Sequence, residues 1–300
     1  MGGRHGLKMA EDRVSDTADL TRGAVRPSGA RTVWALINYL EDDTPDSVWY
    51  AADSWRSHMP LRMETMEIED VRQIRGAFSL DREGIFLADA PSSVKDFRDR
   101  EATAKVYLPE IEEAVRAVTG AHKVVAGRAW VHRHSDRSER FGEAGTTFPG
   151  RYAHIDYSDE SGPATARQML GDDREADALM AGRFAIFNLW RAISPPPQDC
   201  PLCVVDATTV AAEDLVISHI VLGPAEHEMR LQTNMVAYNP LHRWVYFPDM
   251  DRDELLIFRG YDSDPARSRR VPHTAFDDPG AGEHAPPRES IDIRCVAFFD

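Results

Sequence analysis

The sequence predicts an α+β chain that is mainly β, with a jelly-roll core and flanking helices. Three observations favour this fold. The first half mixes strand-like and helix-like patterns, and the second half contains many short apolar segments. These segments are separated by turns that contain proline and glycine. Many short strands of this kind are typical of sandwiches and jelly-roll barrels, and the open mouth of such a barrel can take a small ligand.

Composition and charge indicate the domain organisation and exclude some classes of partner. The 300 residues are 42% hydrophobic and carry a formal charge of −15. No apolar run approaches the roughly 20 residues of a membrane-spanning helix, and the N-terminus has no apolar segment of a secretory signal. These features predict a soluble, cytoplasmic protein that binds neither membrane nor nucleic acid, because both need basic surface. Residues 1–31 are polar and predict a disordered tail, and residues 32–300 predict a single domain.

In the first half, strands are predicted in "RTVWALINYL", "VWYAADSW" and "METMEIEDVR", and a hairpin arm in "LDREGIFLADAP". Between Asp96 and Thr119 apolar residues recur at helical spacing, and Gly120 is placed to end that helix. A strand follows in "HKVVAGRAWVHRH". The polar stretch from Ser135 to Arg151 then predicts either a mobile lid or a plain surface loop.

In the second half, residues 164–181 predict a helix, and the remainder is rich in strands. The predicted strands include "GRFAIFNLWRAI", "PLCVVDA", "DLVISHIVL", "MRLQTNMVAYNP", "HRWVYFPDM", "ELLIFRGYDS" and "ESIDIRCVAFFD". Cys200 and Cys203 form a Cys-x-x-Cys pattern, but a buried strand with reduced cysteines explains it better than a zinc or redox site.

His154 and Asp156 stand two residues apart in "AHID". On a strand such residues point to the same face, where an imidazole and a carboxylate can share a metal ion or a hydrogen bond. A facial iron site needs one more histidine, from a neighbouring strand. His273 in "RRVPHTAFDDP" stands out because of the polar strand that follows it, and the alternatives are His132, His134 and His242 in "YNPLHRWVYFP".

The last strand carries an unusual set of polar residues. In "PRESIDIRCVAFF", alternate positions place four of them on one face: Arg288, Ser290, Asp292 and Arg294. Such a face suits a carboxylate, which a guanidinium holds with the help of a hydroxyl. Arg191 in "FNLWR" can do the same from a predicted inward strand, or it can form a buried ion pair.

This order of residues is similar to the 2-oxoglutarate-dependent nonheme iron oxygenases. The flanking segments resemble the hydroxylase/desaturase group of that family, which includes the oxygenase component of cephamycin 7α-methoxylation (CmcJ-like) and fungal natural-product oxygenases. The resemblance covers roughly Thr32 to Phe299 and is carried by "YLPEIEEAVRAVTGAHKV", "AHIDYSDESGP", "YNPLHRWVYFPDMDRDELLIFRGYDS" and "APPRESIDIRCVAFF", among other segments.

The resemblance implies a double-stranded β-helix core and an oxidoreductase that uses Fe(II), 2-oxoglutarate and O2. It implies iron ligands at His154, Asp156 and His273. The reaction would be hydroxylation, desaturation or cyclisation at a C–H bond of a small secondary metabolite, with release of succinate and CO2. The residues that would hold the 2-oxoglutarate carboxylate are Arg288 with Ser290, Arg294 or Arg191.

Four aromatic residues near the expected mouth can line a substrate pocket, although core packing explains each of them as well: Trp130, Tyr152, Tyr238 and Trp244. Two other classes of function remain open at this point. One is a cupin-like dioxygenase or lyase that uses the metal without 2-oxoglutarate. The other is a noncatalytic partner subunit that binds a small molecule.

Overall fold

The computed structural model of the chain describes residues 31–42, 44, 46–51, 53–143, 146–171, 174–267 and 270–300. The expected N-terminal tail therefore lies outside the described residues, apart from Arg31. In the described part of the chain, no helix combines the length and the apolar character that crossing a membrane requires.

In the described part of the chain strands are more numerous than helices, and many of the strands are short. In chain order the strands are β1 (Thr32–Leu40), β2 (Val48–Tyr50), β3 (Leu61–Asp70), β4 (Ile85–Asp89), β5 (Lys123–Ala126), β6 (Val131–His134), β7 (Thr146–Thr147), β8 (His154–Ile155), β9 (Phe184–Ala192), β10 (Leu202–Val205), β11 (Leu215–Leu222), β12 (Met229–Val236), β13 (Trp244–Tyr246), β14 (Glu254–Asp262), β15 (His273–Ala275) and β16 (Glu289–Phe298). The α-helices are α1 (Arg100–Ala102), α2 (Leu108–Thr119), α3 (Ser161–Leu170) and α4 (Ala176–Ala181), and one turn of π-helix (Thr103–Tyr107) joins α1 to α2.

The strands form two sheets. The larger has nine strands in the order β1-β3-β13-β10-β15-β8-β12-β11-β2. The smaller has the order β4-β14-β9-β16-β6-β7, and β5 also pairs with β16. The larger sheet curls, because its edge strand β1 also contacts its middle: the Ala153 amide donates to the Asn38 carbonyl at 2.8 Å. The mainly β character predicted from the sequence is confirmed.

The two sheets pack against each other, and we call the surfaces that meet there the inner faces. Trp190 and Phe258 of the smaller sheet pack there with Val204 and Val245 of the larger one. The other surface of the smaller sheet, here called the helix face, packs against α2 and the turn before it. The helix-face contacts include Tyr107, Ile111, Val115, Phe187, Leu189, Ile291 and Ile293.

The long helix begins and ends where its side chains dictate. The Asp99 side chain accepts hydrogen bonds from the Glu101 and Ala102 amides, which makes Asp99 the N-cap and starts the helix at Arg100. Gly120 ends it with φ 70°, a left-handed conformation that glycine adopts at little cost. The predicted end of this helix is confirmed, and its start lies four residues after the expected Asp96.

Three expectations about elements need correction. The strand expected across residues 122–134 is divided into β5 and β6 at Gly127, whose amide bonds to the Arg294 carbonyl. The helix expected across residues 164–181 is divided into α3 and α4 at Gly171, which has φ 57°. The expected hairpin arm, β4, pairs with β14, which comes far later in the chain. Backbone pairing over such distances leaves no local pattern in the sequence.

Candidate metal centre and adjoining pocket

One cross-strand pair brings two histidines together. β8 and β15 are antiparallel neighbours, and His154 lies directly opposite His273. Residues directly opposite each other in a sheet project to the same side, so both imidazoles reach the inner face. Their ring centroids are 4.3 Å apart. Asp156 directly follows β8, and ligand atoms of these three residues all lie within 4.8 Å of one another.

Backbone carbonyls orient both imidazoles. His154 Nδ1 lies 2.9 Å from the Tyr152 carbonyl oxygen, and His273 Nδ1 lies 3.4 Å from the Val271 carbonyl oxygen. Because a carbonyl only accepts, each Nδ1 carries the proton and each Nε2 keeps its lone pair. His154 Nε2 is 3.8 Å from Asp156 Oδ1. This is the arrangement in which outer contacts prepare histidines to bind a metal ion.

The Asp156 carboxylate is held by one oxygen. Asp156 Oδ2 accepts hydrogen bonds from Asn188 Nδ2 at 2.6 Å and from Arg294 Nη2 at 2.9 Å. Arg294 Nε lies 3.2 Å from the same oxygen. The second oxygen, Oδ1, is the one that faces His154. The protein therefore fixes the carboxylate and leaves one of its oxygens for a ligand ion.

Electrostatics set the protonation states that a metal needs. Burial lowers the pKa of His154, and burial together with the nearby His154 lowers the pKa of His273 to about 3. Burial alone would raise the pKa of Asp156, but the charge and hydrogen bond of Arg294 together with the neighbouring His273 and His154 outweigh it and hold that pKa well below its ordinary value. Neutral imidazoles and an ionised carboxylate are the forms that bind metals. Two histidines and one carboxylate fit Fe(II) in a site with open positions.

The structure places His242, an alternative third ligand, away from this centre. Its side chain is fully buried, and His242 Nε2 lies 3.0 Å from Asp214 Oδ2. Its Nδ1 lies 3.3 Å from the Tyr39 hydroxyl. Both ring nitrogens are thus engaged in a buried network, and His273 is the histidine that joins His154 and Asp156.

A pocket adjoins the three residues on the inner face, and Arg288 lines it. Arg288 Nε donates to Ser290 Oγ at 3.2 Å, Nη1 donates to the Cys200 carbonyl at 2.8 Å, and the guanidinium lies 5.3 Å from the Trp190 ring centroid. Burial lowers the Arg288 pKa. Within the described residues no carboxylate forms an ion pair with this arginine. A buried cation without an anion is costly, so this position favours an anionic ligand.

Arg294 and Ser290 have different places in this arrangement. Arg294 also lines the pocket, but its guanidinium is engaged with Asp156. Ser290 is buried and supports Arg288 through the hydrogen bond described above. Of the four residues predicted to share a face on the last strand, Arg288, Asp292 and Arg294 line the pocket.

Arg191 lies on the opposite face from the one expected. It donates from Nε to the Tyr107 hydroxyl at 2.9 Å and from Nη2 to the Ala90 carbonyl at 2.7 Å, and Nη1 donates to the Arg252 carbonyl. Neighbouring residues of a strand point to opposite sides, so Arg191 leaves the inner face to Trp190. This position does not favour the expected role toward 2-oxoglutarate. Arg191 links β9 to the helix side of the molecule.

Of the four aromatic residues expected near a substrate, only Tyr152 approaches the centre, with its ring 4.8 Å from that of His154. The other three pack elsewhere. Trp130 lies on the helix face under the Arg100 guanidinium, which is 4.5 Å from its ring. Trp244 is fully buried and donates to the Tyr39 hydroxyl, and Tyr238 packs against the same tyrosine. Apolar packing accounts for the positions of these three residues, so the structure gives no support to their expected substrate contacts.

The structure also identifies pocket residues to which the sequence analysis gave no role. Asn188 holds Asp156, and Trp190 has a buried Nε1 without a hydrogen-bond partner among the described residues. Arg133 of β6 forms an ion pair with Asp292 across the inner face. The sequence offered one indication of a site role for Asn188: it is a polar residue within the apolar segment "FNLW".

Comparison with known proteins gives consistent matches over most of the chain. Residues 37–298 match the family described as "Oxidoreductase/YMDC permease-like domain". The chain is 31% identical over 239 residues to the Fe(II)/2-oxoglutarate-dependent dioxygenase nvfI of Aspergillus novofumigatus (strain IBT 16806), covering 78% of this chain and 82% of that protein. It is 32% identical over 287 residues to the hydroxylase/desaturase CTB9 of Cercospora beticola, covering 88% and 86%. A solved structure of the iron and alpha-ketoglutarate-dependent endoperoxidase NvfI superposes with a TM-score of 0.77 at 25% identity, covering 90% of this chain and 99% of that one.

Proposed function

The chain belongs to the family of Fe(II)/2-oxoglutarate-dependent oxygenases, and from this premise we propose that it oxidises a C–H bond of a small natural-product-type substrate. The products from the cosubstrate are succinate and CO2. The outcome at the substrate carbon is hydroxylation, or desaturation or cyclisation.

The observation that carries this proposal is the shared orientation of His154, Asp156 and His273. Both imidazoles have their Nδ1 turned to a backbone carbonyl, and Asp156 turns its Oδ1 toward them. We assign these three residues as the Fe(II) ligands. When bound, Fe(II) and 2-oxoglutarate supply the oxidation by O2, and the protein supplies binding, orientation and protection.

The surrounding residues have separate tasks in this proposal. Arg294 and Asn188 keep Asp156 ionised and orient it. Arg288, supported by Ser290, binds the distal carboxylate of 2-oxoglutarate. A guanidinium suits this task because its donors match the two oxygens of a carboxylate. Arg288 is preferred over Arg294 because Arg294 is already paired with Asp156.

We propose a double-stranded β-helix, or jelly-roll, as the core that carries this site. Two packed sheets with ligands on their inner faces support it, as does the likeness to NvfI. In this proposal residues 32–300 form one domain and act in the cytoplasm, and residues 1–31 form a polar tail.

The deciding experiment is an anaerobic titration of the metal-free chain with Fe(II), followed by visible absorption before and after 2-oxoglutarate is added. We expect a weak charge-transfer band that needs both components, and succinate release once O2 and a substrate are present. Stoichiometric Fe(II) without the band would favour a cupin-like enzyme that does not use 2-oxoglutarate. No Fe(II) binding would contradict the proposal.

A pair of histidine variants tests the ligand assignment within the same titration. His273→Gln should abolish stoichiometric Fe(II) binding, whereas His242→Gln should retain it, because His242 lies in a separate network with Asp214. The reverse result would overturn the assignment of His273.

A further inference from the structure

The face of the larger sheet that carries His154 continues beyond the metal centre. Met235 of β12 lies directly opposite His154, so it marks this metal-side face on β12. Counting every second residue, the metal-side face of β11 and β12 carries no charged side chain. Its residues are Val216, Ser218, Ile220, Leu222, Met229, Leu231, Thr233 and Met235.

Part of this uncharged face is open to solvent. Met229 is 46% exposed and Leu231 is 36% exposed. The opposite face of the same two strands is mixed: it carries the polar residues His219, Arg230 and Gln232 as well as the exposed Ile217. A sheet with one solvated face normally turns its polar residues to the solvent. Because the metal-side face combines exposed apolar residues with an absence of charge, it suits an apolar ligand better than the mixed opposite face does.

Three apolar side chains form a row across this surface. Trp49 of β2 lies opposite Ile220 of β11, and Ile220 lies opposite Leu231 of β12. Neighbouring strands are about 4.8 Å apart, so the row is on the order of 10 Å wide. That width suits a fused ring system better than a single small acid.

An aromatic contact connects the row to the metal centre. The Trp49 ring centroid is 6.3 Å from that of Tyr152, and the Tyr152 ring is 4.8 Å from that of His154. A molecule bound on the row would contact Trp49. Tyr152 lies between Trp49 and the proposed iron ligand His154 and connects the row to the metal centre.

We propose that Trp49, Ile220 and Leu231 bind the hydrocarbon part of the oxidised substrate, which is a neutral, predominantly apolar ring compound. The inference rests on the proposed function, since it takes the row to hold a molecule that is oxidised at the centre. Continuity with His154 through Tyr152 favours the substrate over a protein partner as occupant. The lack of charge on the metal-side face favours a neutral compound.

The test uses the uncharged fluorescent probe N-phenyl-1-naphthylamine, titrated anaerobically into the chain loaded with Fe(II) and 2-oxoglutarate. Leu231→Asp should weaken probe binding by about tenfold or more, because a charge then replaces an apolar contact. Trp49→Ala should weaken it by a similar factor. Ile217→Asp is the matched control: Ile217 is 47% exposed but belongs to the opposite face of β11, so binding should change less than about twofold.

Several results would overturn the inference: no probe binding by the unaltered chain, unchanged binding in both Leu231→Asp and Trp49→Ala, or equal weakening by Ile217→Asp. A charged relative of the probe, 8-anilino-1-naphthalenesulfonate, should bind more weakly than the neutral probe, and tighter binding would contradict the neutral substrate class. The charge-transfer band, recorded in the same samples, separates this inference from the proposed function. Its absence counts against the function, whereas its presence with unaltered probe binding in the variants counts against the row.

Discussion

Arg191 and Arg294 lie on opposite faces of the smaller sheet, and Arg191 is buried from solvent whereas Arg294 is half-buried. On the helix face, Arg191 donates to two backbone carbonyls and a tyrosine hydroxyl. On the inner face, Arg294 pairs with the Asp156 carboxylate. An arginine on the helix face thus links structural elements, whereas an arginine on the inner face orients a proposed metal ligand.

Arg288 extends the comparison, because it is a buried cation of the inner face that lacks a carboxylate partner among the described residues. Arg191 has its donors satisfied by fixed parts of the chain, so nothing remains for a ligand. Arg288 has partners for Nε and Nη1 in Ser290 and Cys200 and still carries an unneutralised charge into a pocket. The difference teaches that burial of an arginine does not by itself indicate a binding role: neither Arg191 nor Arg288 pairs with a carboxylate among the described residues, and Arg288 differs because it lines the pocket.

The strongest way to break the comparison is to remove the charge of one inner-face carboxylate at a time. Asp156→Asn should lower Fe(II) affinity by at least about a hundredfold, because a charged ligand is lost while its size is kept. Asp292→Asn is the matched control, since Asp292 is also paired with an arginine on the inner face. Metal analysis after anaerobic loading measures both. Full iron content in Asp156→Asn would contradict the ligand assignment.

The next largest effect concerns Arg288. Arg288→Met should raise the concentration of 2-oxoglutarate that gives half-maximal intensity of the charge-transfer band by about 30-fold or more, because a buried charged contact is removed. Fe(II) binding without the cosubstrate should stay the same. An unchanged 2-oxoglutarate titration would show that another residue binds the carboxylate.

Arg191→Met should reduce stability and leave 2-oxoglutarate binding unchanged, the opposite of the result expected for Arg288→Met. The loss of the Arg191 donors leaves the Ala90 and Arg252 carbonyls and the Tyr107 hydroxyl buried without a partner, so the free energy of unfolding should fall by about 3 kcal/mol or more. The 2-oxoglutarate titration of the folded fraction should match that of the unaltered chain. Denaturant unfolding and the visible titration together decide the point, and a selective loss of 2-oxoglutarate binding would restore Arg191 as a ligand.

The smallest expected effect is the contribution of His273, on the inner face, to the pH dependence of stability. The pKa of His273 is about 3 in the folded chain, against an ordinary value of about 6.5. Below pH 6.5 the unfolded chain takes up the proton first, so the metal-free protein should lose stability as pH falls toward 3. The contribution from His273 approaches about 1.4 kcal/mol per pH unit. His273→Gln should show a shallower dependence between pH 7.5 and 5.5 in denaturant unfolding, and an identical slope would contradict the low pKa.

The sequence predicted features that depend on local pattern. The end of the helix at Gly120 follows from the ease with which glycine adopts a left-handed conformation. The shared face of Arg288, Asp292 and Arg294 follows from the two-residue repeat of a strand. The pairing of His154 with Asp156 on one side follows from the same rule.

The face of β9 could not be read in this way. Every residue from Phe184 to Ala192 is buried, so the apolar and polar residues do not alternate. Without alternation, nothing in "FNLWR" shows which of Trp190 and Arg191 points to the inner face. The aromatic residues could not be assigned for a related reason. A tryptophan in an apolar segment, such as Trp130 or Trp244, is compatible with a core position and with a pocket position. Strand neighbours, such as β4 with β14, depend on the whole fold.

The two imidazoles lie side by side because His154 and His273 are directly opposite each other on neighbouring strands. This pairing determines where the chain can tolerate insertions and deletions. A slip of one residue between β8 and β15 would turn one imidazole to the wrong side. Residues added between β15 and β16 would leave that pairing untouched, because they lie outside it and extend an exposed connection around Gly280. The connection is therefore a suitable place to insert a tag or a reporter segment while both histidines keep their places.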